Sequence, residues 1–316
     1  MTDVYVNRIA SALGDEARDV EHTASCKKLM SAADVIRQAG FSRHHVCSES
    51  TTAYDLASRA VKELGHSIDG TRAIIYSTCI PANANLGDSR EFERTGDVKF
   101  LMDFPASHLQ ADFGLDDANV IGLTQQACTS LLGSIRLSRA LVLSEPDVDK
   151  VLCVTADRFP NGAIYEQAYN LISDGAAACV VSKEAVGFRV ITTHAITNGA
   201  LAQATDDETV GTYFNYVHKI ITEVVAKAGL RLQDIDWIVP QNTNVSAWKI
   251  LARLLPFDCE RIYLGNIGNI GHIISSDNLV NLAQMDRDAL VERGQRLLLV
   301  MAGFGLNWQA VILEKV

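Results

Sequence analysis

In the stretch 121-IGLTQQACTSLLGSI-135, a run that reads as a strand, Asn119 to Thr124, gives way after two glutamines to a helical pattern carried by Leu131, Leu132, Ile135, Ala140 and Leu141. Cys128 stands where the one hands over to the other. The N–H groups of a helix's first turn have no intrahelical partner, and the helix dipole is positive there. A thiol so placed ionises below its usual value of about 8.5 and becomes a nucleophile. The competing reading is a small buried core residue, because free cysteines are usually buried and inert.

Working outward, short apolar, β-branched runs at 72–79, 119–124, 150–156, 176–182, 188–193, 236–239, 296–301 and 309–314 read as buried strands. Helical patterns occupy 52–64, 129–143, 213–228, 245–255 and 275–291. This alternation predicts an α/β fold of largely parallel sheets with helices packed on them. The order of segments also repeats. IIYSTCIP, IGLTQQACTSLLGSIRLSRAL, VLCVTADRF and AAACVVS are followed in the second half by WIVPQNTN, LGNIGNIGHIISSDNLVNLAQ, LLLVMAGFG and QAVILEK. Cys128 lies 23 residues before Val151, and His272 lies 25 residues before Leu297, where the corresponding strands begin. A duplication into two pseudo-twofold-related βαβαβ halves therefore sets Cys128 and His272 at matching strand-to-helix junctions, facing each other. The expected division is 1–184, with the cysteine and a long loop at 82–114, and 185–316, with His272. The loop contains GDVKFLMDFPASHL, too apolar for a solvated linker, so it is expected to cover a site or reach a partner subunit. His108, within it, could then approach a substrate.

The composition narrows the function. The chain has 316 residues, 48% of them apolar and 21% charged, with a net charge of −10. No basic run points to nucleic acid. No apolar segment is long enough to cross a membrane, and the N-terminus lacks a secretion-signal pattern. Seven cysteines, an odd number without a CxxC pair, argue for a reducing cytoplasm and against disulfides or a metal site.

Eight pieces in order carry a resemblance: AGFSRHHV (39–46), QQACTSLLG (125–133), VLCVTAD (151–157), ISDGAAACVVS (172–182), HAITNG (194–199), DIDWIVPQNTN (234–244), GHIISSDNLVNL (271–282) and GFGLNW (303–308). Through them the chain resembles, nearly end to end, the ketoacyl-ACP synthase III-like branch of the thiolase superfamily. The resemblance implies the thiolase fold, layered α-β-α-β-α, and a homodimer in which the strand before Cys128 pairs across a twofold. It also implies that Cys128 accepts an acyl group from coenzyme A or acyl carrier protein, with no metal or other cofactor. Most members then condense that group with a malonyl thioester, losing carbon dioxide, in fatty acid or polyketide-type biosynthesis.

The sequence departs from the family at the cysteine's partners. Gln241, in Pro240-Gln241-Asn242-Thr243-Asn244, stands where a histidine is usual, and His272, after Gly271, stands where an asparagine is usual. His272 can supply the base for thiol activation, since imidazole titrates near neutral pH. Gln241 can donate through its amide but cannot shuttle a proton. Asn242 and Asn244 read as fixing the loop. Main-chain N–H groups of Cys128 and of the Gly303-Phe304-Gly305 turn are the expected oxyanion donors. The coenzyme A-stacking tryptophan of the family is absent from 32-AADVIR-37, which shifts weight to a carrier-protein donor. Lys249 and Arg253, four apart where relatives dock carriers, are candidate contacts, the competing reading being a solvated helix face. Three functions stay open: a condensing enzyme, an acyltransferase forming an ester or amide through the same acyl-cysteine, and a non-condensing subunit of a heterodimer.

Overall fold

Nine strands hydrogen-bond into one sheet in the computed structural model, which describes residues 3–316 apart from Gly305, with Asp206 described through its backbone alone. They are β1 (Tyr5–Leu13), β2 (Ala73–Ser77), β3 (Asn119–Leu123), β4 (Lys150–Asp157), β5 (Gly175–Ser182), β6 (Phe188–Thr197), β7 (Trp237–Val239), β8 (Arg296–Gly303) and β9 (Asn307–Lys315). Their order across the sheet is β7-β8-β9-β6-β1-β5-β4-β2-β3.

Read from its centre, the sheet repeats itself. In one direction β1 pairs antiparallel with β5, β5 antiparallel with β4, and β4 parallel with β2, which pairs parallel with β3. In the other, β6 pairs antiparallel with β9, β9 antiparallel with β8, and β8 parallel with β7. The two half-sheets are joined where Tyr5 and Val6 face Arg189 and Phe188. The counterpart of β3 shrinks to a single parallel bridge between Ile238 and Ile262. At that edge the Arg261 guanidinium donates to the carbonyls of Ile235 and Asp236.

Five helices complete the layers: α1 (Ala53–Leu64), α2 (Ser130–Ser144), α3 (Asp206–Lys227), α4 (Val245–Leu254) and α5 (Asp277–Arg287). Helix α1 is amphipathic, capped by Thr52, and covers the outer face of the first half-sheet. Helix α3 covers the outer face of the second. Between the half-sheets run α2 and α5, each touching strands of both halves. This place explains their sequences. Ser130 to Ile135 are all buried, as a helix packed on every side requires. The buried amides of Asn278 and Asn281 donate to the carbonyls of Val239 and Pro240, at the end of β7, and of Val300, within β8. Three apolar cores result, one beneath each outer helix layer and one between the half-sheets. The α-β-α-β-α thiolase layering expected from the sequence is the one observed, but the sheet is not largely parallel as expected: three of its pairings are parallel and five antiparallel, because each half ends in a hairpin-like pair.

Segment 82–114 differs from its expectation as a covering loop. It contains helices at Ser89–Thr95 and Pro105–Asp112, the second packed on β2 and β3. Pro105 and Pro81 each open a helical turn, where a missing N–H costs nothing. The strand β1 escaped the sequence reading because its side chains are mostly half-buried and do not alternate cleanly.

Candidate active site

Parallel α/β sheets present the carboxyl ends of their strands to ligands. Here β2 and β3 run parallel and in register, so the chain leaving each of them arrives at one place. Beyond β3 the backbone makes a sharp elbow: Ala127 has φ +46, in the left-handed region a side chain rarely adopts, and Ala127–Thr129 form a 3-10 turn. Cys128 therefore sits one turn before α2 rather than in its first α-turn. It is 7% exposed and faces a cavity of about 700 Å³. The turn after β8 backs onto this elbow. A Cβ built on Gly303 would lie 2.9 Å from the Cys128 nitrogen, so only glycine fits there. Phe304 also lines the cavity; Gly305 lies outside the described residues.

His272 reaches the cysteine from the second half. Gly271, at φ +75, turns the chain, and His272 N–H donates to Leu171 O at 2.8 Å while its carbonyl accepts from Ser173 N–H at 2.8 Å. The imidazole is thus pinned to the first half by main-chain bonds. Its Nδ1 lies 2.5 Å from Asp277 Oδ2. Asp277 is fully buried at the start of α5, where the helix dipole favours a carboxylate, and its oxygens also accept from Ile273 N–H and Asn242 N–H, each at 2.6 Å. Nδ1 must therefore carry the hydrogen, leaving Nε2 for the cysteine.

The electrostatics follow from these contacts. Burial disfavours a charged His272, but the Asp277 carboxylate and the Cys128 sulfur outweigh it and raise the imidazolium pKa to about 10. Cys128 is lowered to about 6, through a hydrogen bond from Cys79 and then through His272, against its burial. Both shifts favour a thiolate–imidazolium pair at rest. Alkylation of Cys128 is accordingly expected to rise through about pH 6 and stay level to pH 8, whereas an ordinary thiol would still be climbing. Mass-resolved iodoacetamide labelling across that range measures it, and a midpoint above 8 would contradict the ion pair.

The other sequence candidates divide. Gln241 lines the cavity; its Oε1 accepts from Ala302 N–H at 2.8 Å, which leaves the amide N–H₂ as the group to offer a ligand. Asn242 is fully buried and spent on structure, donating to Gly271 O and accepting from Asn281. Asn244 caps α4 by accepting from Ser246 N–H at 2.8 Å, and its side of the loop lines the cavity. Lys249 and Arg253 are exposed on α4, beside Ile250, which lines the cavity, and Leu254. His108 does not reach the site: it pairs with Asp103 at 2.6 Å, on the far side of β2 and β3. Sequence reasoning missed Asp277 and Cys79. Asp277 is five residues after His272, inside a serine-rich run, and only the helix start reveals that it turns back. Cys79 was read as the end of a buried strand; the parallel pairing of β2 with β3 was the signal that it meets Cys128.

The cavity wall is apolar, with Phe159, Ile164, Tyr213 and Phe214 prominent. Among the described lining residues none is Asp, Glu, Lys or Arg.

This layered, duplicated architecture defines a thiolase-fold enzyme. Residues 124–199 match the family model for 3-oxoacyl-[acyl-carrier-protein (ACP)] synthase III, and residues 225–315 match that for its C-terminal part. The chain belongs to the 3-oxoacyl-ACP synthase III family, whose members are acyl-transferring condensing enzymes. It is 25% identical over 291 residues to the beta-ketoacyl-[acyl-carrier-protein] synthase III of Chlamydia caviae, covering 82% of this chain and 80% of that protein. It is 21% identical over 306 residues to that of Aquifex aeolicus, covering 91% and 93%. Among solved structures it superposes on the synthase III of Thermus thermophilus with a TM-score of 0.82 at 20% identity, over 98% of both chains. It also superposes on an acyltransferase, ChlB3, with a TM-score of 0.82 at 17% identity, over 99% of this chain and 98% of that one.

Proposed function

We propose that the protein loads an acyl group from an acyl thioester onto Cys128 and passes it to a second substrate, most directly a malonyl thioester. The buried Cys128–His272–Asp277 array at the wall of an apolar cavity carries this reading. In the first half-reaction the thiolate attacks the thioester carbonyl, the C–S bond of the donor breaks, and His272 gives its proton to the departing thiolate. The oxyanion is met by the Cys128 N–H and the Gly303 turn. In the second, the malonyl C–C bond breaks, carbon dioxide leaves, and the electron pair attacks the acyl carbon. His272 first regains a proton from solvent at Nε2, and that N–H and the Gln241 amide hold the malonyl thioester oxygen. The acyl C–S bond breaks and returns the Cys128 thiolate. The reaction draws on acyl thioesters alone, with no metal or other cofactor.

Asp277 favours a second reading. Holding a carbonyl needs only N–H donors, whereas a carboxylate behind an imidazole equips it as a base. His272 would then take the proton of a hydroxyl or amine that attacks the acyl-cysteine, making an ester or amide. Loading the enzyme with a panel of acyl thioesters and measuring intact mass tests the shared first step. Adding malonyl carrier protein then tests condensation: release of carbon dioxide with a 3-oxoacyl product supports it. Decay of the acyl-enzyme only with hydroxyl or amine acceptors supports the second reading. No acyl mass with any donor overturns both.

The donor fits a carrier protein better than coenzyme A. The segment around Ala32–Arg37 offers no aromatic ring, no Lys or Arg lines the cavity among the described residues, and Lys249 and Arg253 are exposed on α4, beside the lining residue Ile250, as contacts for an acidic carrier. The free cysteines fit a reducing, cytoplasmic setting. We further expect a homodimer formed by pairing of β3, an edge strand with Val120 exposed, across a twofold. Sedimentation at micromolar concentration is expected to give twice the chain mass, and a monomer there would contradict it.

A further inference from the structure

The two thiols at the cavity wall are in contact: Cys79 Sγ lies 3.6 Å from Cys128 Sγ. The contact is anchored on both sides. Cys128 is fixed by its elbow. The turn carrying Cys79 is gripped by the fully buried Asp157, whose Oδ1 accepts from Thr78 Oγ1 at 2.6 Å, Cys79 N–H at 2.9 Å and Ile80 N–H at 3.1 Å. A thiolate has no hydrogen to give. Once Cys128 is ionised, the bond between the sulfurs runs one way, from Cys79 S–H to Cys128 S⁻. Cys79 also faces the cavity that admits the substrate.

We propose that Cys79 is a further catalytic residue, whose thiol donates a hydrogen bond to the Cys128 sulfur whenever that sulfur carries charge. The inference rests on the reading of Cys128 as the acyl-accepting nucleophile. The bond matters twice. At rest it shares with His272 the task of holding the thiolate. In the second half-reaction the acyl C–Sγ bond breaks and its electron pair moves onto Cys128. At that moment His272 is engaged with the incoming substrate, holding its carbonyl or taking its proton. Cys79 is then the donor left for the departing sulfur. No proton leaves Cys79 in either step: its hydrogen bond to Cys128 and its burial push its own pKa well above the ordinary thiol range, so it stays a donor.

The test uses protein that has been reduced and then freed of reductant, with Cys79→Ala, Cys79→Val and Cys79→Ser each checked for folding by thermal unfolding. Valine restores the lost volume should alanine fail to fold. Iodoacetamide labelling of Cys128 is followed against pH by peptide mass. The midpoint is expected to rise by about one pH unit in the Ala and Val variants and to stay near wild type in Ser, which keeps a donor. Breakdown of the preformed acyl-enzyme by acceptor is expected to slow about tenfold in Ala and Val and less in Ser. Wild-type midpoints in Ala and Val, or a Ser variant that behaves like them, would overturn the proposal. Failure of the wild type to take up acyl mass would sink the underlying reading instead, and the alkylation result would still stand on its own.

Discussion

Cys128→Ala is expected to take up no acyl mass from any thioester that loads the wild type, with turnover lower by about 10⁴–10⁶, the usual cost of removing a covalent nucleophile. The side chain is small, and its loss at a 7% exposed position on a cavity wall should leave the fold intact. Intact-mass measurement reads the loss directly. Six other cysteines serve as internal controls, since all seven are free. Cys153 and Cys179 are fully buried in paired strands and have no route to a bulky thioester. Labelling that persists in Cys128→Ala would move the nucleophile elsewhere, and Cys79 would be the first place to look.

His272→Ala is expected to slow loading and cut turnover by about 10²–10⁴, the range of general acid–base assistance. His272→Asn, which places the residue usual in relatives, should not rescue it, because an amide cannot accept or return the proton. Asp277→Asn should fall nearly as far by another route. Both oxygens of Asp277 accept N–H groups, from Ile273 on one side and from Asn242 and His272 on the other. An asparagine can satisfy one side only. With its NH₂ toward His272 it would force the hydrogen onto Nε2, where the base must be free. Restoring the relatives' arrangement with Gln241→His and His272→Asn together should recover part of the activity if the two positions have merely exchanged roles. Wild-type loading and turnover in His272→Ala would make the histidine structural.

The fold was legible because strands and helices of a buried α/β protein announce themselves by run length and β-branching, and eight of the nine sheet strands did so. The repeat of segment types around Cys128 and His272 also anticipated their meeting, and the sheet order provides the means. What the sequence hid was made by folding within each half. Asp277 carries no local mark of its role; it becomes a partner of His272 only because α5 begins where the chain has doubled back. Cys79 and Cys128 are 49 residues apart, and only the parallel registry of β2 and β3 brings them together. In the segment 82–114, Pro105, Ala106 and Leu109 pack a helix on β2 and β3, while Val98, Met102 and Phe104 stay exposed, a division that composition alone did not reveal. Asn242 could be weighed but not assigned, because its partners, Gly271 and Asn281, come from later segments of the same half.

The unequal ends of the sheet have a consequence for solubility. Unpaired strand edges invite further chains, and a molecule with two of them can polymerise without limit. Here one end is blunted. β7 has three residues, its flank is taken by the single bridge to Ile262, and Arg261 occupies two of its neighbouring carbonyls. Among the described strands of this sheet, β3 is the edge that remains open to strand addition. Two copies that join there consume both of their open edges, leaving nothing on which a third could template. On the proposed pairing of β3, shortening one strand of a duplicated fold turns an aggregation hazard into growth that stops at two.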